Sequence, residues 1–214
     1  MNALNRVKTV YSFWGRWPLL YGAQDYITFM GRPGRIRRRA VEKLHARNND
    51  TILEVACGTG RNFPYLMEVV GTEGSLIGFD YVQAMLNSAK QLCEKRGWKH
   101  ITLKQGDAAQ LAIGEEHVDG VLSVLGISAI PDWERAFLRC RDVLRPGGRL
   151  VVCDARLFTG FLKMLNPLIR LVYSECAAWD PSKDIPKKMK EIFGNLETEY
   201  INAGTFFIAV AVKK

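Results

Sequence analysis

From residue 51 onward the chain alternates short apolar runs with amphipathic segments, and this alternation restricts the fold more than any other feature. Runs at 51–56, 76–80, 101–104, 118–125 and 149–154 have the length and apolar content of buried strands. Between them, residues 62–70, 82–96 and 131–144 place apolar side chains at helical spacing. Asp80, and then Pro131 with Asp132, mark helix starts. Strands that alternate with helices predict right-handed βαβ units and a parallel sheet covered on both faces. The end of the chain breaks the pattern. Two strand-like runs, 196–202 and 205–213, are separated by Ala203 and Gly204, which predicts a terminal antiparallel hairpin. A length of 214 residues suits one domain, and there is no internal repeat or low-complexity linker.

The first strand runs out through Glu54-Val55-Ala56-Cys57-Gly58-Thr59-Gly60 into a helix that begins near Asn62. Glycines at a strand-to-helix turn let the backbone approach a ligand and offer it free N–H groups. Asp80 ends the second strand, placed to accept hydrogen bonds from ribose hydroxyls or simply to cap the following helix. A dinucleotide fingerprint needs a third glycine three residues after Gly60, and that position is Phe63. A pyrophosphate site, and with it a nicotinamide enzyme, is therefore poorly supported.

Five ordered motifs together resemble the class I S-adenosylmethionine-dependent methyltransferases. Glu54 to Gly60 is similar to their first motif, and Ala56, where many members carry glycine, is similar to the quinone C-methyltransferase branch. Asp80 matches the family's ribose-binding acid. Gly106-Asp107-Ala108 resembles the turn whose acid accepts from the adenine amino group, and residues 118–127 resemble the fourth strand and its exit. Leu144-Arg145-Pro146-Gly147-Gly148-Arg149-Leu150 matches the turn into strand five; a structural helix stop and turn is the plain reading of its Pro-Gly-Gly. The resemblance covers residues 51–155 well and the final hairpin more loosely. It implies a Rossmann-like, doubly wound, mostly parallel seven-stranded sheet with a C-terminal antiparallel hairpin and an N-terminal helical lid over residues 1–50. It implies S-adenosylmethionine as cofactor, S-adenosylhomocysteine as product, and a cofactor site of Tyr11, Glu54, Ala56, Gly58, Thr59, Gly60, Asn62, Asp80, Tyr81, Met85, Gly106, Asp107, Ala108 and Ser123. Met85, at helical spacing, fits the core equally well.

A sulfonium-borne methyl group is already activated, so the protein must chiefly align the acceptor, which can lower a barrier by up to ~7–11 kcal/mol. His100 and His117 precede strands and belong at the opposite edge of the sheet, and His45 reads as part of the helix before the first strand. Tyr11, Tyr21, Asp154 and Tyr173 are the candidate catalytic groups, with Ser123 and Ser128 beside them in the acceptor site. Asp154 ends the fifth strand, where it suits either a cationic amine or a loop cap. The cysteines form no C-x-x-C pair and none has a histidine at metal-ligand spacing, so no metal is expected.

Residues 1–50 hold ten Lys/Arg against three Asp/Glu and so carry nearly all of the formal +8 charge. Aromatics accompany them: Tyr11, Phe13, Trp14, Trp17, Tyr21, Tyr26 and Phe29 precede Arg32 and Arg35 to Arg39. Such a segment suits an anionic membrane interface through residues 1–40, or a helical lid whose arginines are merely solvated. Val7-Lys8-x-x-Tyr11 with Trp14 and Tyr21, and later Trp179-Asp180-Pro181, resemble the lids and tails of quinone-type and phosphatidylethanolamine N-methyltransferases. That resemblance implies a lipid or lipid-like acceptor, such as a head-group amine, quinone or phenol. A soluble metabolite is the alternative. A nucleic-acid acceptor is not expected, because Ser123-Val124-Leu125-Gly126 lacks the Asn/Asp-Pro-Pro-aromatic element of base-amino methyltransferases. A binding protein without turnover is disfavoured by the intact Glu54, Gly58, Gly60, Asp80 and Asp107. No signal peptide or membrane-spanning run is seen, so a cytoplasmic location with peripheral membrane contact is expected.

Overall fold

The computed structural model describes residues 2–114 and 117–214. Three helices come first: α1 (Ala3–Arg16), α2 (Pro18–Thr28) and α3 (Pro33–Glu42). The alternating part follows as β1 (Thr51–Val55), α4 (Phe63–Val70), β2 (Ser75–Asp80), α5 (Gln83–Arg96), β3 (Ile101–Gln105), β4 (Val118–Val124), α6 (Trp133–Val143) and β5 (Leu144–Ala155). Then come a 3₁₀ segment at Gly160–Leu165, α7 (Asn166–Cys176), α8 (Ile185–Phe193), β6 (Glu197–Ile201) and β7 (Phe206–Val212).

The seven strands form one sheet in the order β3-β2-β1-β4-β5-β7-β6. The first five are mutually parallel, and β7 enters antiparallel between β5 and β6, with Val151 opposite Val210 and Ile208 opposite Glu199. Successive strand residues face opposite layers. Ile52, Leu122 and Val151 join Ile36, Phe63 and Leu66 in one core, while Leu53, Val121 and Val152 join Phe137, Cys140 and Met189 in the other. Order reverses at β1/β4, and in such sheets the crevice beyond the strand C-termini at the reversal is the binding site.

Element ends differ slightly from expectation. The helices predicted from 62, 82 and 131 begin at Phe63, Gln83 and Trp133, because Asn62, Val82 and Asp132 stand outside as N-caps. The Pro146-Gly147-Gly148 turn is drawn into β5, since Gly147 N–H bonds Lys213 O at 2.7 Å and Lys213 N–H bonds Gly148 O at 2.9 Å. His45 is not helical; it lies exposed in the turn after α3 with φ 52°.

The basic run also behaves differently from a solvated face. Arg37 is buried against Asp25 at 2.6 Å, Arg38 pairs Glu68 at 2.7 Å, and Arg39 pairs Glu199 at 3.0 Å. Lys43 bonds Glu197 at 2.5 Å and Glu199 at 3.1 Å. Much of the excess positive charge is thus consumed by carboxylates of α2, α4 and β6. α1 instead lies on α5, where Gly15 is indispensable: a Cβ there would come within 2.6–2.8 Å of the Ala84 and Met85 backbone. Ser88 Oγ donates to Gly15 O at 2.7 Å across the same crossing.

Phe137 of α6 is completely buried in the second core. Phe137→Ala removes a ring from a close-packed site and is expected to cost about 3–5 kcal/mol, read as a lower urea midpoint with an unchanged slope.

Candidate active site

Glu54, on β1, is 1% exposed. Asn62 Nδ2 donates to its Oε1 at 2.5 Å, while Oε2 is buried with no partner among the described residues. Arg37 Nη1 donates to Asn62 Oδ1 at 2.7 Å, and its Nη2 donates to Asp25 Oδ1 at 2.6 Å. Arg61 reaches the other Asp25 oxygen at 3.4 Å. One continuous polar chain therefore ties α2 and α3 to the loop after β1. Burial pushes the Glu54 carboxyl up to about 8, against the opposing pull of its Asn62 hydrogen bond and the Arg37 charge.

Asp80 closes the loop from the β2 side. Its Oδ2 accepts the Gly58 N–H and its Oδ1 the Val82 N–H, both at 2.8 Å. Burial raises it to about 6, moderated by those backbone donors. The carboxylate thus holds the glycine loop and the entrance to α5, and keeps acceptor capacity for a further donor. Asp107 Oδ1 accepts the Ala109 N–H at 3.0 Å. Ala56 and Leu125 adopt left-handed φ values of 55° and 57°, which L-residues take only under constraint. The Ala56 Cβ occupies the space a side chain at Gly126 would need, at 2.6 Å, so alanine in the first motif is matched by glycine after β4.

A cleft beyond β1, β2 and β4 is lined by Glu54, Ala56, Gly58, Thr59, Asn62, Asp80, Tyr81, Gly106, Asp107 and Ala108, and roofed by Tyr11 and Tyr21. Three expected cofactor residues lie off it. Gly60 makes the turn at φ 77° with the Phe63 ring against its α-carbon. Met85 is buried in α5, where α1 crosses it. Ser123 is fully buried in β4, its Oγ without a partner among the described residues.

A second, largely apolar cavity of about 280 Å³ adjoins the first, and Tyr11, Tyr21 and Leu125 line both. Trp14, Ile27, Phe158, Ile169 and Phe206 supply apolar wall, with Tyr173 and Ser128 among the polar groups. Tyr173 Oη lies 3.1 Å from Thr28 Oγ1. Tyr11 Oη donates to Ala177 O at 2.9 Å, and desolvation keeps its phenol far above the usual range. The Tyr21 phenol makes no hydrogen bond among the described residues, and burial pushes it up to about 12.

Asp154 lines neither cavity. Its oxygens accept Ser128 N–H at 3.0 Å, Ser128 Oγ at 2.8 Å and Ala155 N–H at 2.8 Å, fastening the loop after β4. Burial raises it to about 6. Lys183 Nζ fastens the same loop through Ser128 O at 2.7 Å and Ile130 O at 2.8 Å. The geometry favours loop capping over contact with an acceptor amine.

Sequence reasoning passed over Asp25, Arg37 and Arg61. A signal existed for Arg37, since it shares the buried α3 face with Ile36, Ala40 and Val41 at helical spacing. For Asp25 and Arg61 no local pattern marks the pairing.

The donor set fits S-adenosylmethionine: a buried carboxylate with one unpartnered oxygen for an ammonium, the Asp80 carboxylate for a ribose, and Asp107 at the far end for an adenine amine. Comparison with known proteins agrees. A family described as "Methyltransferase domain" matches residues 52–148. The demethylmenaquinone methyltransferase of Geobacillus stearothermophilus is 30% identical over 83% of this chain and 79% of its own. That of Oceanobacillus iheyensis is 27% identical over 89% and 87%. Among solved structures, an S-adenosylmethionine-dependent methyltransferase of Thermotoga maritima superposes with TM-score 0.68 at 18% identity, covering 96% of this chain and 100% of that one. The Haemonchus contortus phosphoethanolamine N-methyltransferase 2, solved with S-adenosylhomocysteine, gives TM-score 0.71 at 17% identity over 90% of this chain and 57% of that one.

Two outcomes test this site. Glu54 binds its proton more tightly folded than unfolded, so the cofactor-free protein loses stability as pH rises from the ordinary 4.5 towards about 8. Glu54→Gln is expected to flatten that decline between pH 6 and 8 in thermal unfolding while weakening cofactor binding. Asp25→Asn leaves the buried Arg37 guanidinium without its counter-charge and is expected to cost roughly 3–5 kcal/mol in urea unfolding; a cost below 1 kcal/mol would remove the network from its central place.

Proposed function

This chain belongs to the class I S-adenosylmethionine-dependent methyltransferases, within their quinone C-methyltransferase branch, and from that premise we propose that it methylates the ring of a reduced quinone bearing an apolar tail. The observation that carries the proposal is the junction of a polar cleft with an apolar cavity at Tyr11, Tyr21 and Leu125. A polar cofactor and a flat apolar acceptor thereby meet at one point, the arrangement that proximity catalysis requires.

S-adenosylmethionine, when bound, supplies a methyl group already activated on a sulfonium. The protein's part is to hold and to exclude water. Glu54, Asp80 and Asp107 are the residues that would hold the ammonium, ribose and adenine. Tyr21 stays protonated across the working range and so acts as a hydrogen-bond donor to a ring oxygen, not as a base. Tyr173 with Thr28 would meet the opposite edge of the ring. Tyr11 pins α1 to the Ala177 carbonyl over the junction, and Trp14 Nε1 does the same to Cys176 O at 2.6 Å, which keeps water from the meeting point.

The acceptor being lipid-like, the protein is proposed to work at a membrane surface while no helix among the described residues is long and apolar enough to cross one. Calorimetry is expected to show methyl-donor binding that Asp80→Ala weakens by at least ~1.5 kcal/mol, the worth of a charged hydrogen-bond acceptor. Methyl transfer from S-adenosylmethionine to a reduced prenylated naphthoquinone in detergent, followed by mass spectrometry, is expected to give the singly methylated ring. Tyr21→Phe should lower kcat/KM by roughly threefold to tenfold without changing donor affinity. Transfer to soluble amines with none to the naphthoquinol sinks the proposal.

A further inference from the structure

The second cavity opens between α2 and the segment formed by the 3₁₀ turn and α7, which touch through Thr28 and Tyr173. Both segments turn large apolar side chains outward beside that opening. Leu19 is 90% exposed, Phe161 84%, Met164 67%, Leu171 64% and Leu168 59%. Ile27 lines the cavity and is also 70% exposed, so it stands at the mouth. Water-facing apolar side chains collected in this way mark a surface that is covered in use.

Charge says what covers it. From residue 2 to residue 24 there is no Asp or Glu, while Arg6, Lys8 and Arg16 are present. From 155 to 174 there is again no acid, with Arg156, Lys163 and Arg170 present. An apolar face flanked by cations, with Glu175 of the same segment paired to Arg6 at 2.8 Å, matches the boundary of an anionic bilayer, where the side chains enter the acyl region and Lys8, Arg16, Lys163 and Arg170 meet phosphates. A second copy of this chain would bring the same positive sign against it. Arg37, Arg38 and Arg39 do not contribute, because each is engaged within the fold.

We propose that α2 and the 160–176 segment dock on an anionic lipid surface, with the Ile27 mouth turned to the bilayer, so that a tailed acceptor enters the second cavity from the membrane. The inference rests on the reading of that cavity as the acceptor site. Docking spares the apolar tail from water: the ring rises to Tyr21 while the tail stays among acyl chains.

The test uses the full chain with phosphatidylcholine vesicles, with and without phosphatidylglycerol, and the variant Leu19→Glu/Phe161→Glu/Leu168→Glu. None of these three residues lines either cavity. Turnover of a short-tailed, water-soluble naphthoquinol is measured alongside. The wild type is expected to co-sediment with the anionic vesicles, and the variant to bind at least about tenfold more weakly with short-tail turnover unchanged. Lys163→Glu/Arg170→Glu is expected to lose binding on anionic vesicles and not on neutral ones. The proposal is overturned if the wild type stays in the supernatant, if the triple variant sediments equally well, or if the wild type proves a dimer that the triple variant dissociates. Absence of turnover in the wild type, together with vesicle binding that the variant loses, would instead defeat the acceptor reading and leave the docking surface standing.

Discussion

The buried guanidinium of Arg37 is the constraint on which the site depends. It is 5% exposed, and at that depth a lone charge is intolerable, so its neighbours are dictated: Asp25 on one side, Asn62 on the other, and through Asn62 the carboxyl of Glu54. Four side chains from α2, α3, the glycine loop and β1 are locked by one requirement. α2 and α3 cannot shift far from the loop without exposing or orphaning one of them. A second set of contacts, Tyr11 to Ala177 and Trp14 to Cys176, ties α1 to the end of α7. The roof of the cleft is thus attached to elements from both ends of the chain.

Around that network the polar cleft keeps features that cost stability. Glu54 is buried with one oxygen unpartnered, Asp80 is raised by desolvation, and Ala56 and Leu125 hold left-handed backbone conformations. None of these helps the cofactor-free chain to fold. They cluster at the point where β1 and β4 diverge, which is where a ligand supplies the missing partners. The adjoining cavity is different in kind, mainly apolar, with a few hydroxyls spaced around it. The contrast between the two walls, more than any single residue, is what supports the proposed pairing of a charged donor with a flat apolar acceptor.

Much of the architecture was legible before any coordinates. Strand-like runs placed the β-strands to within a residue or two, except that β5 begins five residues earlier than its apolar run, at Leu144, and Leu196 to Lys213 announced the final hairpin. Glu54, Gly58, Asp80 and Asp107 were legible as neighbours in one cleft because each sits at a strand end within a few positions of its glycines. Met85 read equally as core and as pocket, because its helical spacing is common to both; in the structure it is buried in α5 where α1 crosses Ala84 and Met85. Asp154 likewise stayed open between two roles, since a strand-end acid reads alike whether it faces a ligand or caps a loop; in the structure it ties down Ser128. The arginine run read as a free cationic patch because the glutamates that neutralise it, Glu68, Glu197 and Glu199, are remote in sequence.

By itself, then, the sequence determined the parallel sheet, the order of its motifs and the residues of the donor loop, because those depend on period and on backbone neighbours a few positions apart. The tertiary structure alone decided that Arg37 points inward, that β7 lies between β5 and β6, and that Tyr21, Thr28 and Tyr173 share one cavity. These depend on which faces of distant helices pack together. That choice is made by the burial of whole surfaces and the pairing of charges across the fold, and no local stretch of the chain contains it.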